Sequence, residues 1–456
     1  MKLHIQGGRL IDPANKIDGQ FDLYIEQGRV VAVGAKPAGF VAEQQLDASG
    51  QVVCPGLIDL QAFLREPGQT HKGSIASEGA AAAAGGITSL CCSPMTQPVL
   101  DTPSLVRLVQ DRANEASKVR VLPLAALTRG LEGEQLSNMQ SLQEAGAIGF
   151  SNAGVGIPNA QTLLRCLEYA ATLDLLIFVR PNEPVLGAGC AHDGAMAMRL
   201  GLEGIPEVAE TLEVSRYLLL AEQAGARLHF GQLSCARSIE MIEQAQARGQ
   251  QVSADVAVHQ LLLDDTFLEG FDSRFHLSPP LRSKEHRTGL RDALVRGGIG
   301  ALSSDHQPHE AAAKAAPFSA TEAGMIGVQT LLPLGLSLVS QELLTLPQLI
   351  AMLTSTPARI LGKELGKELG KERGKELGQE PGQEPGQEPD LGLGQLGVGA
   401  VADICIFDPL QRWTLDASSN RSRGSNSPYW GQTLTGQVTH TLLAGTPVFV
   451  RDKPRG

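Results

Sequence analysis

The sequence predicts an α/β protein: a (β/α)8 barrel of the TIM type, joined to a small composite β-sandwich formed by both chain ends. Eight apolar runs of strand length alternate with helical stretches between residues 56 and 305. Short alternating segments with turn signals stand at both ends of the chain. A chain of 456 residues, 42% of them hydrophobic, is long enough to bury a large core.

Each of the eight apolar runs has the length of a buried parallel strand, and eight is the number that a closed barrel requires. In chain order they read GLIDLQAF, ITSLCCS, VRVLPLAAL, AIGFSN, LLIFVR, RLHFGQLS, QVSADVAV and IGALSSD. The stretches LEVSRYLLLAEQAGA and CARSIEMIEQAQARG are predicted crossover helices, and each ends at or near a glycine, as helices often do.

The segments at the two chain ends predict the second domain. KLHIQGGRLID, QFDLYIEQGRVVAVG and QVVCPG precede the barrel, and VADICIFDP, RWTLDA and THTLLAGTPVFVRD follow it. We therefore assign residues 1–54 and 398–456 to the β-sandwich, 55–361 to the barrel and 362–397 to a low-complexity insertion between the two.

The insertion begins with seven tetrads, GKELGKELGKERGKELGQEPGQEPGQEP, over residues 362–389. Glycine at every fourth position costs a helix about 1 kcal/mol each relative to alanine, and proline in the last three tetrads removes backbone hydrogen bonds. Such a sequence predicts a flexible surface insertion rather than a binding motif.

Charge and composition exclude several classes of partner. A net charge of −11 and a pI near 5.5 argue against nucleic acid and against an anionic membrane surface. The N-terminal residues do not resemble a signal peptide, and the apolar stretch VQTLLPLGLSLVS is too short to span a bilayer, so we expect a cytoplasmic protein. The seven cysteines, including Cys235, are interpreted as reduced core residues.

Several motifs together identify a family resemblance. PGLIDLQAFLREPG, AGGITSLCCSPMTQPVLDT, GLEGIPEVAE, SPPLRSKEHR, SSDHQPH and STPARILG resemble, in the same order, the motifs of a dihydroorotase of the amidohydrolase superfamily. The resemblance implies a (β/α)8 barrel with a β-sandwich made from both chain ends. It also implies an enzyme that opens or closes a cyclic amide with one or two zinc ions, which generate hydroxide and polarise the carbonyl.

The residues at the family's zinc-ligand positions depart from that pattern. Five positions carry side chains that bind zinc poorly or not at all. They are Gln61 and Phe63 at the end of the first strand, Asn152 at the fourth, Arg180 on the fifth and Gln232 on the sixth. Only Asp305, after the eighth strand, retains a ligand side chain. We therefore expect no bound zinc and no catalytic residue, with Asp305 as a vestige of the site.

The family's substrate-binding residues are partly retained. Arg65 stands where an arginine pairs with the substrate carboxylate, and His309 of the DHQPH motif is kept. Two asparagines that hydrogen-bond the substrate ring in the family are replaced by Met95 and Ser278. Arg65 and His309 are therefore interpreted as vestigial substrate-binding residues, and tight binding of dihydroorotate is not expected.

Asp305 allows two interpretations. With His306 and His309 nearby in sequence, it could form a small metal site or an acid/base pair. The favoured interpretation is structural: Asp305 persists because the loop uses its hydrogen bonds or because Arg180 pairs with it. We expect an ion pair between Arg180 and Asp305, since a buried arginine without zinc would otherwise be uncompensated.

A barrel without metal ligands suggests a function that depends on shape. The sequence resembles the subgroup of dihydroorotase-like chains that do not catalyse but associate with aspartate transcarbamoylase in pyrimidine biosynthesis. The predicted partner is therefore the aspartate transcarbamoylase catalytic chain, in a homo-oligomer or hetero-oligomer. Two alternatives stay open: a metal-poor or zinc-dependent cyclic amide hydrolase with a rearranged site, and a sensor that binds an anion through Arg65 and Arg180.

Overall fold

A computed structural model describes residues 1–362 and 392–451 of the chain. Most of the predicted insertion, residues 363–391, lies outside the described residues, so its interpretation stays a prediction. The same holds for the domain boundaries drawn from the sequence.

The strands of the described residues fall into a barrel sheet, two sheets of the second domain and one short pair. In chain order they are β1 (Lys2–Gln6), β2 (Arg9–Asp12), β3 (Ile17–Gln20), β4 (Leu23–Glu26), β5 (Arg29–Val33), β6 (Gln44–Asp47), β7 (Val52–Pro55), β8 (Leu57–Ala62), β9 (Ile87–Cys92), β10 (Arg120–Ala126), β11 (Gly149–Ser151), β12 (Leu176–Val179), β13 (Ala191–His192), β14 (Gly204–Ile205), β15 (Arg227–Phe230), β16 (Val252–Ala257), β17 (Ala301–Ser303), β18 (Ile404–Thr414), β19 (Thr433–Leu443) and β20 (Thr446–Val450).

The helices mostly connect consecutive strands of the barrel. They are α1 (Ile75–Ala84), α2 (Pro103–Ala116), α3 (Met139–Glu144), α4 (Ala160–Thr172), α5 (Ala195–Leu200), α6 (Val208–Ala224), α7 (Ala236–Ala247), α8 (Lys284–Val295), α9 (Leu331–Ser340), α10 (Leu346–Leu353) and α11 (Ser355–Leu361). The predicted crossover helices correspond to α6 and α7. Helix α6 ends at Gly225, whose φ of +69° is the left-handed conformation that glycine adopts without strain.

The barrel confirms the predicted fold class. Strands β8 to β12 and β15 to β17 pair in parallel in chain order, and each predicted apolar run contains one of them. A bridge between Ala62 and His306 joins the first strand to the segment after the last, and the Phe63 amide donates to the His306 carbonyl at 2.8 Å. Apolar side chains such as Ile58, Leu60 and Phe178 fill the interior.

The second domain consists of two sheets. A six-stranded sheet combines both chain ends in the order β20-β19-β18-β7-β2-β3, as the sequence predicted. A four-stranded sheet, β5-β4-β1-β6, comes from the N-terminal segment alone. The Arg120 guanidinium on β10 joins this domain to the barrel through an ion pair with Asp403 at 2.6 Å, and both side chains are largely buried.

The apolar stretch VQTLLPLGLSLVS forms α9, a buried ten-residue helix. Among the described residues, no helix is long and apolar enough to cross a membrane.

All seven cysteines are free and buried, which confirms their interpretation as core residues. Burial raises the pKa of the Cys235 thiol, and the nearby Glu210 carboxylate raises it further, so Cys235 is no activated nucleophile.

Candidate functional site

The predicted site residues lie at the carboxyl ends of the barrel strands, where such barrels place their functional groups. Gln61 is the fifth residue of β8, and Phe63 follows the strand; both side chains are buried. Gln232 follows β15, and Asp305 follows β17. Gln232 and Asp305 adopt left-handed backbone conformations, with φ of +58° and +50°, where the chain turns out of the barrel.

Asp305 is fully buried and is held by amide groups. Its Oδ1 accepts hydrogen bonds from Nε2 of Gln232 and, at 2.6 Å, from Nε2 of Gln307. Its Oδ2 has no hydrogen-bond partner among the described residues. Burial raises the pKa of Asp305 to about 7, although the positive charge of Arg180 and the Gln307 hydrogen bond oppose this rise. The carboxyl group therefore gains a proton near neutral pH.

Arg180 does not form the expected ion pair with Asp305, so that prediction was wrong. Within the described part of the chain, no guanidinium nitrogen of Arg180 lies within 4.0 Å of an Asp305 oxygen. Instead Nη2 of Arg180 donates to the Ser278 carbonyl and, at 2.8 Å, to the Ser278 hydroxyl. Neutral oxygens of Ser278 bind one nitrogen of the guanidinium, and neutral amides of Gln232 and Gln307 bind one oxygen of the carboxylate. Burial lowers the pKa of Arg180, and the charge of Asp305 acts in the opposite direction.

Asn152 holds a loop together. Its side-chain oxygen accepts from the Thr128 hydroxyl at 2.7 Å, and its amide nitrogen donates to the carbonyls of Leu131 and Val155, at 3.3 and 2.8 Å. These three contacts use both ends of the amide group. Asn152 is therefore a structural residue of the loop after β11.

Arg65 and His309, the predicted vestigial substrate residues, contact each other. Nη2 of Arg65 lies 3.0 Å from Nε2 of His309, and Nζ of Lys72 lies 3.3 Å from Nδ1. Arg65 also donates through Nε to the Pro308 carbonyl at 3.1 Å. Burial lowers the pKa of His309 to about 3, and the charges of Arg65 and Lys72 lower it further. The imidazole is therefore neutral, and the protein itself occupies part of the hydrogen-bonding capacity of Arg65.

The histidines that follow Asp305 face away from it. His306 Nε2 lies 2.8 Å from an oxygen of Glu78, with both side chains fully buried, and His306 Nδ1 accepts from the Gly327 amide at 3.1 Å. His309 faces Arg65 and Lys72. Asp305, His306 and His309 therefore do not converge on one small metal site or acid/base pair.

Sequence reasoning missed His259, which lies closer to Asp305. His259 Nε2 is 3.9 Å from Oδ2 of Asp305, and neither ring nitrogen has a hydrogen-bond partner among the described residues. Burial lowers the pKa of His259 to about 3, so the ring is neutral. The available signal was a histidine just after the buried strand run QVSADVAV. A lone histidine there is more often a core residue, which is why it did not stand out.

Three further buried polar residues lie beneath the mouth of the barrel. His229 Nε2 lies 2.8 Å from Oδ2 of Asp255, and Oδ1 of Asp255 accepts from the backbone N–H of Gln232 at 3.0 Å. Asp59 accepts from the amide and the hydroxyl of Ser304. Burial raises the pKa of Asp59 to about 6, against the effect of the Ser304 hydrogen bonds. These pairs fix the strand ends that carry Gln232 and Asp305.

A polar cleft opens beside Arg180. Gln232, Ser278, Glu210 and Arg282 line it together with neighbouring loop residues. Arg282 is buried and donates to the Ser234 hydroxyl at 3.0 Å and to the Ile205 carbonyl at 2.6 Å. The cleft can admit a small polar molecule, but its charged groups already have partners within the protein.

The donors at the mouth of the barrel do not fit a binuclear zinc site. The predicted ligand positions offer one carboxylate, three amides, one guanidinium and one phenyl ring, whereas zinc takes imidazole, thiolate or carboxylate ligands. Among the residues that the structure describes, no group of three or more His, Cys, Asp or Glu side chains is arranged to hold a metal ion.

Comparisons with known proteins agree with this architecture. Residues 50–238 match the family model described as "Dihydro-orotase-like". The chain is 48% identical, over 98% of its length and 99% of the relative, to a "Dihydroorotase-like protein" of Pseudomonas aeruginosa. The chain belongs to the dihydroorotase-like family. A relative named "Dihydroorotase" from Syntrophus aciditrophicus is 38% identical over 99% of this dihydroorotase-like chain and 100% of the relative.

Solved structures match the fold of the dihydroorotase-like chain. The L-hydantoinase (dihydropyrimidinase) of Arthrobacter aurescens superimposes with a TM-score of 0.84 over 99% of this chain and 96% of the hydantoinase, at 24% identity. The dihydropyrimidinase of Brevibacillus agri gives 0.80 over 99% and 95%, at 22% identity. At these identities the likeness concerns the fold alone. It agrees with a TIM-type barrel carrying a second β domain.

Proposed function

We propose that this chain is a catalytically inactive dihydroorotase-like subunit that supports the assembly and activity of aspartate transcarbamoylase in pyrimidine biosynthesis. The observation that carries the proposal is the set of side chains at the family's ligand positions. They are Gln61, Phe63, Asn152, Arg180 and Gln232, with Asp305 as the one carboxylate. The proposed subunit binds no zinc, acts in the cytoplasm and has the aspartate transcarbamoylase catalytic chain as its partner.

The contacts of these side chains support an inactive site. Asn152 holds its own loop, and Arg180 is bound to Ser278. Asp305 accepts from Gln232 and Gln307. These contacts occupy the Asn152 amide, Nη2 of Arg180 and Oδ1 of Asp305, whereas Oδ2 of Asp305 and Oε1 of Gln232 have no hydrogen-bond partner among the described residues. The barrel and its second domain nevertheless retain a complete core, so the chain can act through its surface.

Co-expression with the organism's aspartate transcarbamoylase catalytic chain tests the proposal. We expect the two chains to elute as one complex, and transcarbamoylase activity to fall when this chain is omitted. The complex should show no dihydroorotase turnover, and metal analysis should give less than one zinc per chain. Stoichiometric zinc together with turnover of dihydroorotate would contradict the inactive assignment.

A double variant provides a matched control for the activity assay. Gln61→His with Phe63→His restores two ligand side chains at the end of β8. We expect it to stay inactive, because Asn152, Arg180 and Gln232 still lack ligand chemistry. Turnover by the double variant would show that the remaining positions are not limiting.

A cyclic amide hydrolase with a rearranged site is the second candidate. It is favoured by the buried Asp305 Oδ2 and the His259 ring, which lie 3.9 Å apart and lack other partners among the described residues. Relatives named "Dihydroorotase" at 34–38% identity also favour it. Assays with dihydroorotate and hydantoin, with and without added divalent metals, test this candidate. Turnover that Asp305→Asn and His259→Ala each abolish would support it.

A further inference from the structure

Helix α6 presents an aliphatic face where a surface helix normally presents polar side chains. Its exposed side chains between residues 208 and 219 are Val208, Leu212 and Leu219, which are 50%, 50% and 65% exposed. The adjoining helix α7 shows the usual pattern: its exposed positions are Arg237, Glu240, Gln244, Gln246 and Ala247. Single exposed leucines are ordinary, but these three side chains lie on one helix face, where only the half-buried Ser215 stands between Leu212 and Leu219.

A loop at the mouth of the barrel adjoins the first turn of this helix and also exposes apolar side chains. The Glu183 amide donates to the Ala209 carbonyl at 2.8 Å, which ties the loop to the first turn of α6. The loop exposes Val185 and Leu186, which are 82% and 38% exposed. The strip on α6 from Val208 to Leu219 is about 17 Å long, at 1.5 Å per residue, and the loop adjoins its first turn.

The spacing of the strip matches that of paired helices. Val208, Leu212, Ser215 and Leu219 follow one another at intervals of 4, 3 and 4 residues, the 3.5-residue repeat of a helix seam. One antiparallel register places Val208 opposite Leu219 of a second copy and Leu212 opposite its Ser215. In that register every member of the set faces an aliphatic residue or a small serine. Such self-complementarity is what a two-fold interface requires.

The charges around the strip also favour a second copy. Arg216, beside Ser215, is an internal partner: its Nη1 lies 3.2 Å from Glu213, and its Nη2 donates to the Ile157 carbonyl. The centre of the strip therefore carries no uncompensated charge that would repel an identical helix. A strongly charged partner would find no opposite charge there.

We propose that α6 and the loop of residues 183–187 form a two-fold interface between two copies of this chain, with the two α6 helices antiparallel. The interface goes beyond the proposed function, because it concerns the chain alone and needs no transcarbamoylase. Stable interfaces bury about 800 Å² on each copy, which is more than the four side chains of the helix seam can supply. The proposed interface therefore includes Val185 and Leu186 of the loop.

Sedimentation of the purified full-length chain by itself tests the interface. We expect a dimer at micromolar concentration, and we expect Leu212→Glu to raise the dissociation constant by more than about tenfold with an unchanged melting temperature. Leu108→Glu is the matched control, because Leu108 is a 39% exposed leucine on α2, outside the proposed interface. The control should remain a dimer.

Cysteine cross-linking tests the register. A mixture of Val208→Cys and Leu219→Cys chains should form a disulfide-linked heterodimer on oxidation, because these positions face each other across the axis. Each variant alone should not cross-link, and the seven native cysteines are all buried. Cross-linking of either variant with itself would overturn the register.

Three sedimentation results would overturn the two-copy proposal. The first is a monomeric wild-type chain, or a dimer that Leu212→Glu leaves intact. The second is a dimer that forms only after residues 363–389 are deleted, which would assign the surface to that segment. The third is a Leu212→Glu variant that sediments like the wild type but no longer co-purifies with the transcarbamoylase catalytic chain. That result would assign the surface to the other partner and leave the proposed function standing.

Discussion

Asp305→Asn should stabilise the protein above neutral pH, although it removes a carboxylate from the mouth of the barrel. Burial raises the pKa of Asp305 from 3.8 to about 7, so the folded chain holds this proton more tightly than the unfolded chain does. As pH rises from about 4 to 7, the unfolded state ionises first, and the folded state loses stability relative to it.

The size of the effect follows from the shift. Roughly three pKa units at ~1.4 kcal/mol each amount to about 4 kcal/mol, of which about 2.5 kcal/mol falls between pH 5 and pH 8. Asparagine carries no charge and keeps an oxygen that can accept from Gln232 and Gln307. We subtract the free energy of unfolding of the wild type from that of Asp305→Asn at each pH. This difference should be about 2.5 kcal/mol larger at pH 8 than at pH 5.

Urea unfolding followed by far-UV circular dichroism at pH 5 and pH 8 measures this difference. Asp403→Asn serves as a control, because it breaks a buried ion pair with Arg120 and should destabilise by about 3–5 kcal/mol at both pH values. An Asp305→Asn protein that is less stable than the wild type at pH 8 would refute the reasoning. It would mean that the carboxylate is ionised and bound to a cation in the folded chain.

Three further substitutions or deletions test the contacts described above. Arg180→Ala should cost about 1–3 kcal/mol in urea unfolding, because it removes two hydrogen bonds to Ser278 rather than breaking an ion pair; a larger loss would point to direct pairing with Asp305. Glu78→Gln should remove stability that is present above pH 4.5 and lost on acidification, since His306 and neighbouring hydroxyls lower the pKa of Glu78 despite its burial; equal slopes in acid titrations of both proteins would contradict this. Deletion of residues 363–389 should leave the melting temperature nearly unchanged, because each doubling of loop length costs only about 0.6 kcal/mol, and a large decrease would show that the tetrads pack.

The fold was accessible from the sequence because its signals are local. Each barrel strand is a short apolar run, and each of the eight runs contains an observed strand. The sequence predicted a β-sandwich from both chain ends, but not that one of its sheets comes from the N-terminal segment alone. Strands β1, β4, β5 and β6 pair with one another through long-range contacts that alternating patterns do not specify.

The candidate site was accessible only in part. The positions of Gln232 and Asp305 at strand ends followed from the motifs, and the structure joins the two side chains by a hydrogen bond. The predicted pairing of Arg180 with Asp305 was wrong, because the guanidinium binds the neutral oxygens of Ser278, which lies 98 residues away in the sequence. His259 was missed, because a histidine after an apolar strand is most often an ordinary core residue.

The sequence by itself determined the barrel and the chemical types at its mouth, because strand periodicity and side-chain identity are written in the order of residues. Only the tertiary structure decided which groups satisfy one another. Buried donors and acceptors must find partners wherever the fold brings them, and those partners are distant in the chain. Arg180 bonds Ser278 across 98 residues, and Gln232 bonds Asp305 across 73. The same folding left the aliphatic side of α6 facing outward, which no local pattern could reveal, because exposure depends on what packs against a helix.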